Sequence, residues 1–364
     1  MNSHFQIVLR IGLLIFFLYG FSSFEGPVSD HFDGTHFFNK EESEQTFVDH
    51  VKWLWEMETV EWPEWIHEPS QPPPVAGVGR GELQITYINH STVLIQIDEV
   101  NILTDPVWSE CVGPVSWTGA KRVRAPGVKI EDLPHIDIIL ISHDHYDHLD
   151  IPTLELLIKT HNPIILVGLG VKSRLELLGE NKIVELDWWQ KYTMLTKKIE
   201  FVFVPSRHNS GRTFFDNNQT LWGGFVIKSD SGNVLFQGDT AFGEFINVIK
   251  TKCSPIRLAI LPIGSYEKRW FMKTQHMNPD DAVKVHEILN ASYSVGIHFG
   301  TFNEHPEQTI DAHEKDLSTA LQKYNVSETK FLLLKFGESR MVPSCRLKQA
   351  IFQPVYDRYS IEYK

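Results

Sequence analysis

The sequence predicts a mixed α/β fold in which two β-sheets pack together with helices outside. Short apolar runs alternate with helix-patterned stretches along most of the chain, too irregularly for a single βαβ barrel. Neither a short-period repeat nor a sharp composition break past residue 80 divides it. With 364 residues available to bury a large core, one extended domain is expected at 76–364. An arm at 29–75 and an apolar leader at 1–28 precede it.

Residues 5–24, FQIVLRIGLLIFFLYGFSSF, form the one strongly apolar segment. Its uninterrupted part, Ile11 to Phe21, suits a signal-peptide core, with Gly20 and Ser22 as small residues for cleavage. With Phe5 to Leu9 included it reaches the length of an uncleaved anchor. Arg10 before this core and Glu25, Asp30 and Asp33 after it predict a membrane-associated protein with its catalytic domain on the non-cytoplasmic side. In the arm, Glu42 to Met57 carries a helical pattern with Phe47, Val51, Leu54 and Trp55 on one side. Trp53, Trp62 and Trp65 add aromatic mass before the Pro72 to Pro74 run. The arm is read as packed over the main domain, with contact to lipid headgroups as the alternative.

After the proline break, Leu83 to Ile88, Val93 to Ile97 and Asn101 to Leu103 read as a β-meander with a hairpin turn at Asp98 and Glu99. His90 lies in the first turn and Asp105 ends the last strand. Both are read as turn formers, with a place behind the functional site as the alternative. Further strands are expected at Ile136 to Ile141, Ile164 to Val167, Ile199 to Val204, Leu221 to Ile227, Val234 to Phe236, Leu258 to Leu261, Ser294 to Ile297 and Lys330 to Leu334. Helices are expected at Ile151 to Thr160, Val171 to Leu178, Ala241 to Lys250, Pro279 to Leu289 and Gln308 to Lys323.

Composition narrows the chemistry. Asp and Glu number 46 against 34 Lys and Arg, so the molecule repels phosphate polymers and a nucleic-acid partner is disfavoured. The three cysteines, Cys111, Cys253 and Cys345, lie far apart, which implies neither a cysteine zinc site nor a disulfide framework. Metal chemistry would have to rest on histidine and carboxylate.

The stretch IILISHDHYDHLD, Ile138 to Asp150, supplies that chemistry. His143 and His145 are two apart at a strand exit, so both imidazoles fall on one side of the backbone. Asp147 and His148 follow in the turn, and Asp150 is a candidate N-cap for the helix containing Pro152. Four donors in six residues cannot close on one tetrahedral ion without severe distortion and are better shared between two. His208, Asp239 and His298 each follow an apolar strand, and co-directional strands would bring them to the same rim. The alternative role for Asp239, within Gly238, Asp239 and Thr240, is capping the helix that begins at Ala241.

The HxHxDH motif, followed by an isolated His, Asp and His, resembles the metallo-β-lactamase superfamily. The resemblance implies a four-layer αββα sandwich with a dinuclear site between its sheets. One metal would take His143, His145 and His208 and the other Asp147, His148 and His298, with Asp239 and a hydroxide bridging them. Flanking segments HSTVLIQI, LTDPVW, ELDWWQ, FVPSRH, LWGGF, PIGSYEKRWFMKTQHMNP, IHFGTF and KFGES resemble the N-acyl phosphatidylethanolamine phospholipase D family across roughly residues 80–340. Asp144 and Phe299 depart from that family's animal members, which carry Asn and Trp there.

This second resemblance implies a zinc-dependent phosphodiesterase with two Zn2+ per chain and Asp147 and Asp239 as catalytic carboxylates. Its substrate would be N-acyl phosphatidylethanolamine, cleaved to N-acylethanolamine and phosphatidate. Gln275 and His276 would approach the substrate phosphate or the metal shell, with shaping the loop and capping the helix near Pro279 as their alternative role. By residue type rather than by resemblance, Tyr266 and Arg269, in a cationic and aromatic cluster with Lys268, Trp270 and Phe271, are candidates to meet a lipid phosphate, with an ordinary loop as the alternative. The implied partners are a phospholipid and a membrane surface, with a homodimer left open. Two competing readings are a hydrolase of a lactone or small phosphate ester, and a membrane-tethered binding protein with structural metals.

Overall fold

The structure, a computed structural model, describes residues 24–41, 46–115, 117–179, 182–213, 215–303 and 307–344. The expected leader, apart from residues 24–28, lies outside these residues. Among those described, no helix is long and apolar enough to cross a membrane. The membrane-associated, non-cytoplasmic placement expected from sequence is corrected accordingly.

The meander forms as β1 (Leu83–Asn89), β2 (Thr92–Ile97) and β3 (Val100–Thr104), with Asp98 and Glu99 both at positive φ in its tight turn. A small hairpin, β4 (Cys111–Val112) and β5 (Ala120–Lys121), follows, then β6 (Ile138–Leu140), β7 (Ile164–Gly168) and β8 (Ile183–Leu186). The second half supplies β9 (Lys191–Met194), β10 (Ile199–Val204), β11 (Gly224–Lys228), β12 (Asn233–Phe236), β13 (Ile256–Pro262), β14 (Tyr293–Ile297) and β15 (Phe331–Leu332). The last strand among the described residues is β16 (Ser339–Met341). Two seven-stranded sheets result, in the orders β16-β1-β2-β3-β6-β7-β8 and β15-β14-β13-β12-β11-β10-β9. This is the predicted sandwich.

Both faces of the first sheet are apolar. Ile138 and Leu140 join the core between the sheets, whereas Ile139 and Ile141 join the core on its outer side. That is the period-two alternation of a strand buried on both faces. The outer core includes Leu154 and Leu157 of helix α2 (Ile151–His161), which follows α1 (Phe47–Glu56) in chain order. The other helices are α3 (Phe245–Cys253), α4 (Arg269–Met272), α5 (Pro279–Leu289) and α6 (Ala312–Tyr324). Several contribute apolar side chains to the main core.

Some boundaries differ from expectation for visible reasons. The helix expected from Ala241 starts at Phe245, because Ala241 bridges to Arg207 and donates its N–H to the Arg207 carbonyl at 2.8 Å. Residues 171–178 form a 3₁₀ rather than an α-helix. Helix α1 carries a Thr46–Asp49 capping box, but Val51 and Trp55 on its expected packing face are exposed. Trp53 packs instead, stacked on Phe271 with centroids 4.9 Å apart.

The arm is joined to the domain. Phe32 and Phe37 lie within the main core, and Asn39 and Glu41 reach the loops after β10 and before α3.

Candidate metal centre

Strands β3, β6, β7 and β8 run parallel in one sheet and β12, β13, β14 and β15 in the other, while β10 shares the direction of β12 through antiparallel β11. The residues just past β6, β10, β12 and β14 therefore meet at one rim. His143, His145, Asp147 and His148 come from the first sheet, and His208, Asp239 and His298 from the second.

Two half-sites result. In one, His145 Nδ1 lies 2.9 Å from His143 Nε2 and 3.3 Å from His208 Nε2. In the other, Asp147 Oδ2 lies 2.9 Å from His148 Nε2 and 3.4 Å from His298 Nε2. Asp239 Oδ2 stands between them, 2.9 Å from His298 Nε2, 3.4 Å from His148 Nε2 and 3.8 Å from His208 Nε2. The groups His143–His145–His208 and Asp147–His148–His298, the latter with His90, can each hold a metal ion.

The donor set fits such an ion. Asp239 Oδ1 and the Nε2 atoms of His148 and His298 are buried without a well-formed hydrogen bond, a costly arrangement unless a cation takes their lone pairs. Burial lowers the His143 imidazole well below its ordinary value, lowers His145 too, and takes His208 to about 3, so all three are neutral donors near pH 7. Burial works the same way on His148 and His298. There the carboxylates outweigh it, Asp147 foremost for His148 and Asp239 foremost for His298, holding His148 well above its ordinary value and His298 at about 10. Asp147 and Asp239 thus call for positive charge, which protons supply and a divalent cation would take over.

Ring orientation is fixed from behind. Asp105 Oδ2 is 2.7 Å from His148 Nδ1 and accepts from Ser142 Oγ at 2.6 Å. Ser142 Oγ is 2.9 Å from His143 Nδ1, and His208 Nδ1 donates to the Gln275 carbonyl at 3.0 Å. These contacts leave the Nε2 atoms facing inward. His90 Nε2 lies 2.8 Å from Asp147 Oδ2, its carbonyl accepts from the His298 N–H at 2.8 Å, and its ring packs 4.1 Å from that of His298. His90 and Asp105, read first as turn formers, both have the second role. Asp150 precedes α2 without a side-chain cap bond. Its carboxylate instead accepts from the N–H groups of Trp108 and Ser109 and from the hydroxyls of Ser109 and Thr153.

A cleft of about 470 Å³ opens onto the centre. His145, Asp147, His208, Asp239 and His298 share its wall with Tyr146, Asn209, Gly211, Gln275 and His276. His276 Nδ1 is 3.7 Å from Asp239 Oδ2. Tyr266 and Arg269 are not among the lining residues. The Tyr266 hydroxyl donates to Asp316 at 2.5 Å, and Arg269 pairs with Asp281 and donates to the His276 carbonyl at 2.7 Å. Neither is thus placed on the cleft wall as expected: Arg269 braces the Gln275–His276 loop, and Tyr266 is tied to α6. Tyr146 and Asn209 were missed, since neither has a spacing signal.

A buried ionic network backs the cleft. Arg174 pairs with Asp144 at 3.2 Å and Asp216 at 2.9 Å. Asp144 also accepts from Gly211 N at 2.7 Å, and Arg212 donates to the Asp144 and Leu149 carbonyls at 2.9 Å.

The family described as Beta-lactamase superfamily domain matches residues 100–299. N-acyl-phosphatidylethanolamine-hydrolyzing phospholipase D 1 of Caenorhabditis elegans is 36% identical over 264 residues, covering 70% of this chain and 74% of the worm protein. The mitochondrial N-acyl-phosphatidylethanolamine-hydrolyzing phospholipase D of Saccharomyces cerevisiae is 32% identical over 237 residues, 63% of this chain and 50% of the yeast protein. Among solved structures, a metallo hydrolase from Ignicoccus hospitalis superposes with a TM-score of 0.54 at 20% identity, over 72% of this chain and 99% of that one. The last match bears on the fold alone.

Proposed function

This chain belongs to the N-acyl phosphatidylethanolamine phospholipase D family of the metallo-β-lactamase superfamily and is a metal-dependent hydrolase, and we propose that it cleaves N-acyl phosphatidylethanolamine. Water adds to phosphorus, the bond from phosphorus to the ethanolamide oxygen breaks, and the products are phosphatidate and an N-acylethanolamine. The observation that carries this reading is the meeting of both half-sites with the Gln275–His276 wall in one cleft. The 36% identity to the worm enzyme supports it.

We assign His143, His145 and His208 to one ion, Asp147, His148 and His298 to the other, and Asp239 to both. Zinc suits a set of imidazoles and carboxylates, and donors about 2.0–2.1 Å from a tetrahedral zinc lie roughly 3.3 Å apart, close to the spacings within each half-site. When bound, two such cations lower the pKa of a shared water and neutralise charge on the phosphoryl oxygens. The protein's part is geometric. Asp239 fixes the separation of the half-sites, and His90 and Asp105 hold Asp147 and His148 in register. Gln275 and His276 offer hydrogen bonds to the non-bridging oxygens on the open side.

The test is to incubate the zinc-loaded protein with a detergent-dispersed mixed lipid extract and identify products by mass. N-acylethanolamine and phosphatidate should appear together, and Asp239→Asn should lower their rate more than about a hundredfold. Faster turnover of a water-soluble lactone or phosphate monoester than of the lipid would overturn the substrate assignment. Undiminished hydrolysis by Asp239→Asn would overturn the site.

A further inference from the structure

We propose that Asn39, which precedes the family match at residues 100–299, is a positioning residue for the metal centre, because its side-chain amide clamps the backbone of His208.

His208 lies in the loop beyond its strand. β10 ends at Val204, so no sheet ladder reaches His208. One fix is on its ring, where Nδ1 donates to the Gln275 carbonyl at 3.0 Å. The other is on its main chain: Asn39 Nδ2 donates to the His208 carbonyl at 2.8 Å, and the His208 N–H donates to Asn39 Oδ1 at 3.2 Å. A primary amide supplies donor and acceptor from two separate atoms held in one plane, whereas a carboxylate lacks the donor and a methyl group lacks both. Trp222 Nε1 donates to the same oxygen at 3.3 Å and orients the amide.

The clamp has a firm base. Phe32 and Phe37 on the same segment are buried in the main core, and the Phe37 N–H donates to the Asn218 carbonyl at 2.7 Å. His31 stacks on Trp188, with centroids 4.4 Å apart, and bonds Asp187 at 2.7 Å. Beyond Asn39, Glu41 accepts from the Glu244 N–H at 2.6 Å and faces Arg207 at 3.4 Å. The segment thus grips the loop of His208 and the loop that runs on from Asp239. Apolar packing alone would dock the segment, but an amide closed on a single residue fixes where that residue's Nε2 falls.

The inference rests on the two-cation clause of the proposed function and on nothing about the substrate. The full chain is stripped of metal and titrated with Co2+, with the affinity of each site read by calorimetry and by the visible ligand-field band. Asn39→Ala should weaken one site by roughly 10–100-fold, the range for groups that orient a metal ligand, and leave the other unchanged. Asn39→Asp keeps the acceptor for the His208 N–H and loses the donor, so its affinity should fall between. Phe38→Ala, on the same segment with an exposed ring, should leave both sites as in the parent. Unchanged affinities in Asn39→Ala would overturn the proposal, as would equal losses in Phe38→Ala. Should Asn39→Ala fail to fold, Asn39→Asp decides by the same criteria. A parent chain binding a single cation would overturn the two-cation reading, and the response of that one affinity to Asn39→Asp would then decide the role of Asn39.

Discussion

At the scale of single residues, the clustering of the candidate metal donors was readable because chemistry compressed them into a pattern. Four donors in six residues at a strand exit seldom serve any end but holding cations, and His208, Asp239 and His298 each follow an apolar run. Asn39 had no such signal. Its role is a pair of bonds to another residue's backbone, which any sequence at position 208 could accept. His31 was equally silent, although it lies buried with Nδ1 2.6 Å from Asp30 and Nε2 2.7 Å from Asp187. Burial lowers its affinity for a proton, but Asp187 and then Asp30 outweigh this, and its pKa is raised above 6.5. Lys40, paired with Asp30, is the other charge nearby. A raised value means that the ion pairs contribute fully below the ordinary pKa and are lost as pH climbs through the folded-state value. Amide exchange in residues 29–39 should therefore speed up as pH rises above the ordinary histidine value, beyond its intrinsic base catalysis. His31→Gln should abolish that extra step, and its persistence in the variant would refute the assignment.

At the scale of elements, strands with apolar residues on both faces were placed well, because burial leaves them a continuous signal. β8, β9 and the β4–β5 hairpin were missed, being short and partly polar, so that no apolar run or clean alternation marks them. The late start of α3 was not legible either, because Ala241 is held by Arg207 across a loop. Two substitutions test how elements carry the site. Gly264 follows β13, and a Cβ there would lie 1.7 Å from the His298 carbonyl oxygen. Gly264→Ala should displace His298, weakening one metal site and lowering Tm together, and unchanged metal affinity would contradict this. Arg174→Met would leave Asp144 and Asp216 buried without their shared cation, which should cost about 3–5 kcal/mol. Urea unfolding measures it, and a change within the usual surface range of about 0.5 kcal/mol would show the network to be dispensable.

At the scale of the whole molecule, the sandwich was legible from the alternation of elements, and the family segments narrowed it further. The exposed face of α1 and the position of the arm were not, since both depend on which surface happens to lie opposite. The centre draws His143, His145, Asp147 and His148 from one sheet and His208, Asp239 and His298 from the other, so cations bound as proposed would link the two. Chelation should accordingly lower Tm, by an amount that grows with the tightness of binding. Calorimetry with and without a chelator checks this, and an unmoved Tm would mean that the sheets are held by their core alone.

One pairing sets the order in which the molecule can be completed. β16 lies against β1, with Gln84 opposite Met341 and Thr86 opposite Ser339. During synthesis the outer edge of β1 waits for a partner that is made roughly 250 residues later, about 15–50 s at ordinary rates of elongation. For that interval an apolar strand carries an open row of backbone donors and acceptors, the kind of surface on which nascent chains aggregate. β16 is thus a closing seam, and a chain that stops short of it would reach the cell with that edge still uncovered.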